Sequence, residues 1–180
     1  TAYRRQRQMC IRDRFSTSYM SKDEKYTKYF EYFNFFVFSM LLLVLSGNFL
    51  VMFFGWELVG LSSYLLISFW YEKNSAAKAG NKAFILNRIG DFGFLIGLMM
   101  ILNYFETCNF VDIFDSVLIK QPSNLDLIIL FLLLGAFGKS AQFPLFSWLP
   151  DAMEGPTPAS ALIHAATMVT AGVFMLVRVS

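Results

Sequence analysis

Cysteine and histidine are scarce in this chain of 180 residues, which contains two cysteines and one histidine. Cys10 and Cys108 lie far apart without a CxxC or Cys/His spacing, so the sequence predicts neither a metal site nor a disulfide framework. The chain also lacks a nucleotide-binding loop, a flavin fingerprint, an iron–sulfur cysteine set and a catalytic triad. We therefore predict no cofactor, no metal and no redox step in this chain itself.

Charge is sparse as well, because charged residues make up 16% of the chain and the net charge is +2. The basic residues are spread over ends and loops and form no stripe with interleaved aromatics, which excludes nucleic acid as the expected partner. By contrast, 56% of the residues are hydrophobic and 18% aromatic. That is more apolar surface than a soluble domain of this length hides in one core, so the lipid bilayer is the predicted partner.

Five mainly apolar stretches are separated by short polar segments, and each is close to the roughly 20 residues that a membrane-spanning helix needs. We predict an all-α integral membrane fold of five transmembrane helices, near residues 29–47, 48–70, 80–102, 126–149 and 157–178. Ser46, Gly47 and Asn48 supply the turn between the first two. Thr157 and Pro158 are suited to be the cap and the first residue of the last helix.

The two ends of the chain differ from the apolar middle. Residues 1–14 carry five arginines without apolar periodicity and are predicted to be foreign or disordered; Asp13 weakens the alternative of a transit peptide. We predict a polar lead-in loop over residues 15–28 and a five-helix unit over 29–180. The absence of an initiator methionine, and an end where the fifth stretch ends, predict a fragment of a longer protein.

Lysines collect in the lead-in and in the loop between the second and third stretches, whereas the loop before the fourth is mostly acidic. The positive-inside rule predicts that these two lysine-rich segments face the cytoplasm or the mitochondrial matrix. The loop between the fourth and fifth stretches falls on the same side, although its charges, Asp151 and Glu154, are acidic. The rule counts lysine and arginine, so this is a weak objection.

A single lysine, Lys139, lies near the middle of the otherwise uncharged run 127–149. A lysine at bilayer depth is costly to bury and typically marks ion or proton movement. Pro144 follows five residues later and predicts a helix break near the carbonyl of Ser140. Broken helices at this depth are tolerated where they are buried in protein or line a hydrated cavity; a purely structural kink remains the alternative.

Glu57 is the only charged residue between Phe49 and Trp70, and it is the predicted partner of Lys139 because the sign is opposite and the depth similar. At about 4 Å and an effective dielectric near 20, such a pair contributes about 4 kcal/mol. A Glu57 that approaches and retreats would switch Lys139 between holding and releasing a proton. A static ion pair that joins two helices is the alternative.

Two further ionisable sites lie inside the predicted spans. His164 is about two turns into the last helix, where its ordinary pKa suits a proton relay, although a packing histidine is the alternative. Arg88 and Asp91 are three residues apart on one helical face, close enough to pair with each other. In the functional interpretation, Asp91 instead steers the charge of the site formed by Glu57 and Lys139.

Four segments together resemble the antiporter-like membrane subunits of respiratory complex I, the NADH dehydrogenase (ubiquinone). They are SYMSKDE, GWELVGLSSYLLISFW, NRIGDFGF and GKSAQFPLFSWLPDAMEGPTPASALIHAATMVTAG. The resemblance covers about residues 18–180 and implies the first of that family's two inverted five-helix repeats, with its fourth helix broken. It implies a subunit that translocates protons while other subunits, with FMN, iron–sulfur clusters and ubiquinone, oxidise NADH.

By position, the resemblance implies that Glu57 is the family's charged glutamate and Lys139 its broken-helix lysine, with His164 as the central-axis histidine and Asp91 as a supporting acid. The implied partner is the adjacent antiporter-like subunit. The implied location is the mitochondrial inner membrane, with 21 phenylalanines and 8 tyrosines typical of an AT-rich genome; a bacterial inner membrane is the alternative. The second broken helix and the lateral helix of the family are not in this sequence.

Two other functions stay open. Leu58 stands where complex I members usually have glycine, and the same change is found in multisubunit cation/proton antiporters. A Na⁺/H⁺ antiporter subunit is therefore one alternative, disfavoured by PDAMEGPTP and NRIGDFGF. The other is a structural membrane subunit that transports nothing.

Overall fold

The computed structural model describes residues 14–120 and 124–179, and this part of the chain is helical, without a strand. The first thirteen residues of the predicted N-terminal segment lie outside the described residues. The elements are α1 over residues 14–20, α2 (Tyr26–Val44), α3 (Phe49–Ile67), α4 (Asn74–Phe105), α5 (Phe110–Lys120), α6 (Leu125–Lys139), two single-turn 3₁₀ helices (Leu145–Trp148 and Asp151–Glu154) and α7 (Thr157–Val179). The all-α membrane fold predicted from the sequence is confirmed.

The five predicted stretches correspond to α2, α3, α4, α6 with the turns that follow it, and α7. Within the described residues, α3, α4 and α7 are long and apolar enough to cross a membrane by length and composition alone. α6 has 15 residues, fewer than the roughly 20 that a span needs, because it ends at the predicted break. α4 is longer than the span predicted for it, because it covers 32 residues, Asn74–Phe105, and the prediction was 80–102.

Two helical segments were not predicted. The lead-in was expected to be a loop over residues 15–28, but residues 14–20 are helical and α2 already begins at Tyr26. α5 was missed because it is a short amphipathic helix inside an acidic loop. It buries Phe110 and Ile113. Phe110 packs edge to face on Phe49 at the start of α3, with the ring centroids 4.6 Å apart.

Helix ends follow local turn chemistry. The turn predicted at residues 46–48 is confirmed, because Asn48 adopts an extended backbone and its side chain accepts a hydrogen bond from the Val51 amide at 2.7 Å. The cap predicted at Thr157 is wrong by one residue. Pro156 has the extended backbone that precedes the helix, so Thr157 is the first helical residue and makes no side-chain cap bond.

The close packing of α4 against α6 positions the charged residues of the interior. A Cβ added to Gly90 of α4 would lie 2.9 Å from the Cα of Gly138 in α6, so the two backbones touch where both residues lack side chains. α3 also packs on α4, where Trp56 meets Phe94 edge to face at 5.2 Å. This crossing brings the last turn of α6 beside the middle of α4.

Ion pairs on one side of the helix bundle join the loops that the positive-inside rule groups together. Lys25 of the lead-in pairs with Glu72 of the second loop at 2.6 Å, and Lys82 at the start of α4 pairs with Asp151 at 2.7 Å. The hydroxyl of Ser75 also donates to Glu154. The predicted shared side of these three segments is confirmed, and in the last loop Asp151 balances the charge of Lys82.

Two surface groups on this side titrate abnormally. The indole N–H of Trp70 donates to the Asp23 carboxylate at 2.9 Å, and this bond, with a second from the Lys25 amide, lowers the pKa of Asp23. The hydrogen bond from Lys25 to Glu72 raises the pKa of Lys25. Both groups therefore favour their charged forms in the folded protein.

Candidate functional site

The predicted helix break is confirmed, and it places Lys139 at the end of a helix. α6 ends at Lys139, and the Ser140 amide makes the last helical bond to the carbonyl of Ala136 at 2.9 Å. Ala141 then takes a left-handed backbone with φ of 50°, and the chain turns away before Pro144. A cation in the last helical turn is favourable because that end of the helix dipole is negative.

The segment after the break, residues 140–156, satisfies the polar groups that the broken helix leaves unpaired. The indole N–H of Trp148 donates to the carbonyl of Gly138 at 3.1 Å, in the final turn of α6. The hydroxyl of Ser140 donates to the carbonyl of Val169 in α7 at 2.8 Å. The first bond compensates a carbonyl in the last turn of α6, where backbone acceptors lack helical partners. The second bond connects the end of α6 to α7. The end of α6 is therefore buried at the break, whereas Phe143 and Phe146 in the following segment are exposed.

Lys139 pairs with Asp91 deep inside the helix bundle. The Nζ atom of Lys139 lies 3.3 Å from Oδ2 of Asp91, and the two side chains are only 1% and 4% exposed. The other carboxylate oxygen accepts a 2.7 Å hydrogen bond from the indole N–H of Trp56 in α3. The ammonium also lies 5.9 Å from the centroid of the Trp56 ring. Asp91 thus links three helices and compensates the only buried lysine among the described residues.

Glu57 pairs with Arg88. Glu57 was the expected partner of Lys139, but the structure pairs Lys139 with Asp91. The alternative in which Arg88 pairs with Asp91 is not found either, because Arg88 pairs with Glu57. Successive helical residues point about 100° apart, so Trp56 faces the buried Asp91 while its neighbour Glu57 turns toward the less buried side. Arg88 is on that side, and the side chains of Arg88 and Glu57 are 47% and 20% exposed.

The two ion pairs together form a compact charged cluster on α3, α4 and α6, with two acids and two bases. The acids are Glu57 and Asp91, and the bases are Arg88 and Lys139. Arg88 and Asp91 belong to neighbouring turns of α4, so the pairs lie close to each other. The net charge of the cluster is zero, which suits burial at membrane depth.

His164 lies in a π-helical turn of α7, Leu162–Thr167. Its ring stacks on Trp148 with centroids 6.2 Å apart. Both ring nitrogens are buried, and neither makes a well-formed hydrogen bond with a described residue; the backbone of Ala152 is the polar group beside them. π-Helical turns occur often at functional sites. Trp148 therefore contacts both the last turn of α6 and His164.

Sequence reasoning missed the two tryptophans that organise the site. Trp56 and Trp148 are both fully buried, and each donates its indole N–H to a polar group of the site. A buried tryptophan needs an acceptor for this N–H. Trp56 directly precedes Glu57, and this position next to a charged residue within an apolar stretch was the sequence signal for it. In the part of the chain that the structure describes, no group of three His, Cys, Asp or Glu residues could hold a metal ion.

Comparison with known proteins agrees with this architecture. The family model described as NADH:quinone oxidoreductase/Mrp antiporter, TM, matches residues 46–180. The chain is 54% identical to NADH-ubiquinone oxidoreductase chain 5 of Acanthamoeba castellanii, with 92% of this chain and 26% of that protein covered. It is 52% identical to NADH-quinone oxidoreductase subunit L of Rickettsia bellii, with 92% and 27% covered. It therefore spans about a quarter of the length of these curated relatives.

A solved structure shows the same fold. The Mrp complex from Dietzia sp. DQ12-45-1b contains a chain that is 34% identical, with a TM-score of 0.75 over 81% of this chain and 16% of that chain. The resemblance read from the motifs is thus confirmed by the family model and the relatives, and the solved structure supports the fold. This chain, with its broken helix and its buried Lys139, is therefore a member of the NADH:quinone oxidoreductase/Mrp antiporter transmembrane family.

Proposed function

We propose that this chain is part of a proton-translocating membrane-arm subunit of respiratory complex I. In that complex, NADH would be oxidised by ubiquinone elsewhere, and this subunit would couple the reaction to proton pumping. The observation that carries the proposal is the Lys139–Asp91 pair, buried at the end of a broken helix. The names of the relatives at 52–54% identity, NADH-ubiquinone oxidoreductase chain 5 and NADH-quinone oxidoreductase subunit L, support the complex I assignment.

The chemistry follows from the dependence of a buried amine on its counter-ion. Lys139 holds a proton while a carboxylate lies beside it and releases the proton when that carboxylate leaves or is neutralised. Asp91 is the carboxylate beside it in this conformation. Glu57, now paired with Arg88, is the second carboxylate of the cluster, and an exchange of partners would change the proton affinity of Lys139.

His164 is proposed to receive or deliver the proton. Its two ring nitrogens are buried without a well-formed hydrogen bond to a described residue, so a water molecule can bond to them and the nitrogen without a hydrogen can accept a transferred proton. Trp148 packs between its ring and the last turn of α6. A relay from Lys139 to His164 would therefore run alongside the 140–156 segment, with no metal or cofactor bound by this chain.

The partners and the membrane follow from the same assignment. The neighbouring antiporter-like subunit and the lipid bilayer are the proposed partners, and NADH, FMN, the iron–sulfur clusters and ubiquinone would be bound by other subunits. The proposed location is the inner membrane of mitochondria, with a bacterial inner membrane as the alternative. Relatives of both kinds support a multi-pass membrane subunit.

A Na⁺/H⁺ antiporter subunit is the second candidate, favoured by the structural similarity to a chain of an Mrp complex. The two functions make different predictions. An antiporter subunit would exchange sodium for protons in vesicles that contain no NADH dehydrogenase, whereas a complex I subunit would move protons only when NADH is oxidised. A structural subunit would do neither.

Substitution of the charged cluster tests the proposal in the full-length subunit within the assembled complex. We expect Lys139→Met and Glu57→Gln to reduce NADH-driven proton uptake by proteoliposomes at least about tenfold, since each removes a charge from a compensated pair. Lys78→Met is the matched control because Lys78 is an exposed lysine of α4. Pumping and NADH oxidation at the control level in both cluster variants would reject the transport function.

A further inference from the structure

We infer that Gly60 of α3 is a positioning residue that sets the contact between Lys139 and Asp91. A Cβ atom added to Gly60 would lie 2.6 Å from Nζ of Lys139 and 3.8 Å from Oδ2 of Asp91. None of the other ten glycines has a charged side chain among its nearest neighbours. The missing side chain of Gly60 is therefore the space in which the ammonium group lies.

The ammonium group of Lys139 has described neighbours on three sides. Asp91 lies on one side at 3.3 Å, the Trp56 ring on another with its centroid at 5.9 Å, and the α3 backbone at Gly60 on a third. Trp56 and Gly60 are four residues apart and thus share one face of α3. This face supplies both the N–H that holds Asp91 and the clearance that admits Lys139.

A methyl group at Gly60 would displace the lysine rather than the helix. The Nζ atom ends a flexible four-carbon chain, so it would move by roughly 1 Å to reach an ordinary contact distance of about 3.5 Å. Asp91 is held by the indole of Trp56 and would not follow. From the triangle formed by Gly60, Lys139 and Asp91, the Nζ to Oδ2 distance would grow by roughly 0.3 Å, beyond the usual range of hydrogen bonds.

This change is small in distance but falls on a contact that is already long. At 3.3 Å, the Lys139–Asp91 bond is slightly longer than the usual upper limit of about 3.2 Å for N–H···O hydrogen bonds. A buried ammonium that loses its hydrogen bond keeps the cost of its burial without the compensation. Gly60 therefore controls the distance between the Lys139 ammonium and the Asp91 carboxylate because it has no side chain.

The test is Gly60→Ala in the full-length subunit of the assembled complex, alone and combined with Lys139→Met. Gly97→Ala is the matched control, because its Cβ would press at 3.1 Å on the flexible side chain of Leu132, away from the charged cluster. We expect Gly60→Ala to reduce proton pumping per NADH at least about fivefold, with the control within about twofold of the parent. We also expect it to lower the midpoint of thermal unfolding in the parent and not to lower it in the Lys139→Met background, where alanine only improves the helix propensity.

The pumping measurement rests on the proposed function, whereas the thermal measurement does not. If Lys139→Met pumps normally, the proposed function fails, and the thermal comparison alone decides the role of Gly60. An equal loss of stability from Gly60→Ala in both backgrounds would overturn the inference, since it would show a packing role independent of the ammonium. If Gly60→Ala prevents assembly, assembly restored by Lys139→Met supports the inference, and failure of both variants overturns it.

Discussion

Replacement of Asp91 by asparagine removes one charge from the interior and leaves the shape of the side chain nearly unchanged. The amide oxygen of asparagine can still accept the 2.7 Å hydrogen bond from Trp56, so the contact between α3 and α4 is kept. With that oxygen on Trp56, the NH₂ group takes the place of Oδ2, so Lys139 loses both its counter-ion and its hydrogen-bond acceptor. Asp91→Asn therefore isolates the electrostatic role of the pair from its packing role.

The size of the effect follows from the geometry. At 3.3 Å and an effective dielectric of about 20, the attraction between the two charges is about 5 kcal/mol. Measured losses for one partner of a buried pair are about 3–5 kcal/mol, because the remaining charge stays buried without compensation. We use the measured range, since the side chains are 1% and 4% exposed and solvent screening is small.

The assay compares Asp91→Asn with Asp115→Asn, which removes an exposed aspartate of α5. Thermal unfolding of the purified complex and NADH-driven proton uptake by proteoliposomes are measured for both variants. We expect Asp91→Asn to unfold at a lower temperature and to pump at less than about one tenth of the parent rate, with the control unchanged. Parent-like unfolding and pumping of Asp91→Asn would show that the buried pair contributes neither stability nor transport.

Two further predictions concern Trp148 beside the helix break and Asp23 on the surface. Trp148→Phe removes the hydrogen bond from the indole N–H to the carbonyl of Gly138. The loss should destabilise the protein by about 1–3 kcal/mol, seen as a lower unfolding midpoint, because that carbonyl stays buried. An unchanged midpoint would contradict a stabilising role for this bond. Asp23→Asn should lower the midpoint at neutral pH, and the difference should vanish well below the ordinary carboxyl pKa of 3.8. The folded pKa of Asp23 is lowered, so its contribution to stability is present above pH 3.8 and is lost as the pH falls through the lowered pKa; a difference that does not shrink as the pH falls below 3.8 would refute this origin.

Much of the fold could be predicted because hydropathy and helix-breaking residues act locally. The five apolar stretches, the turn at Asn48 and the break between Lys139 and Pro144 each depend on residues that are close in the sequence. The shared side of the three charged loops also follows from simple alternation of spans. α5 escaped prediction because a helix of 11 residues in an acidic loop lacks the length of a span.

The sequence proposed four residues for the candidate site, and the structure pairs the charged ones differently from the expectation. Lys139, Glu57, Asp91 and His164 all lie in helices that carry the buried interior, yet the expected partner of Lys139 was Glu57. Its partner in the structure is Asp91. Sequence spacing predicts which residues share a face of one helix. It does not predict how two helices are rotated relative to each other.

The sequence by itself determined that this chain is a helical membrane segment, where its fourth helix breaks, and which ionisable residues are carried into the apolar interior. These properties depend on the composition and order of neighbouring residues. Only the tertiary structure decided that Asp91 compensates Lys139, that Arg88 compensates Glu57 and that Gly60 provides space for the ammonium. The reason is physical: charge pairing depends on distances of a few ångströms between helices, and the close packing of small residues across α4 and α6 sets those distances.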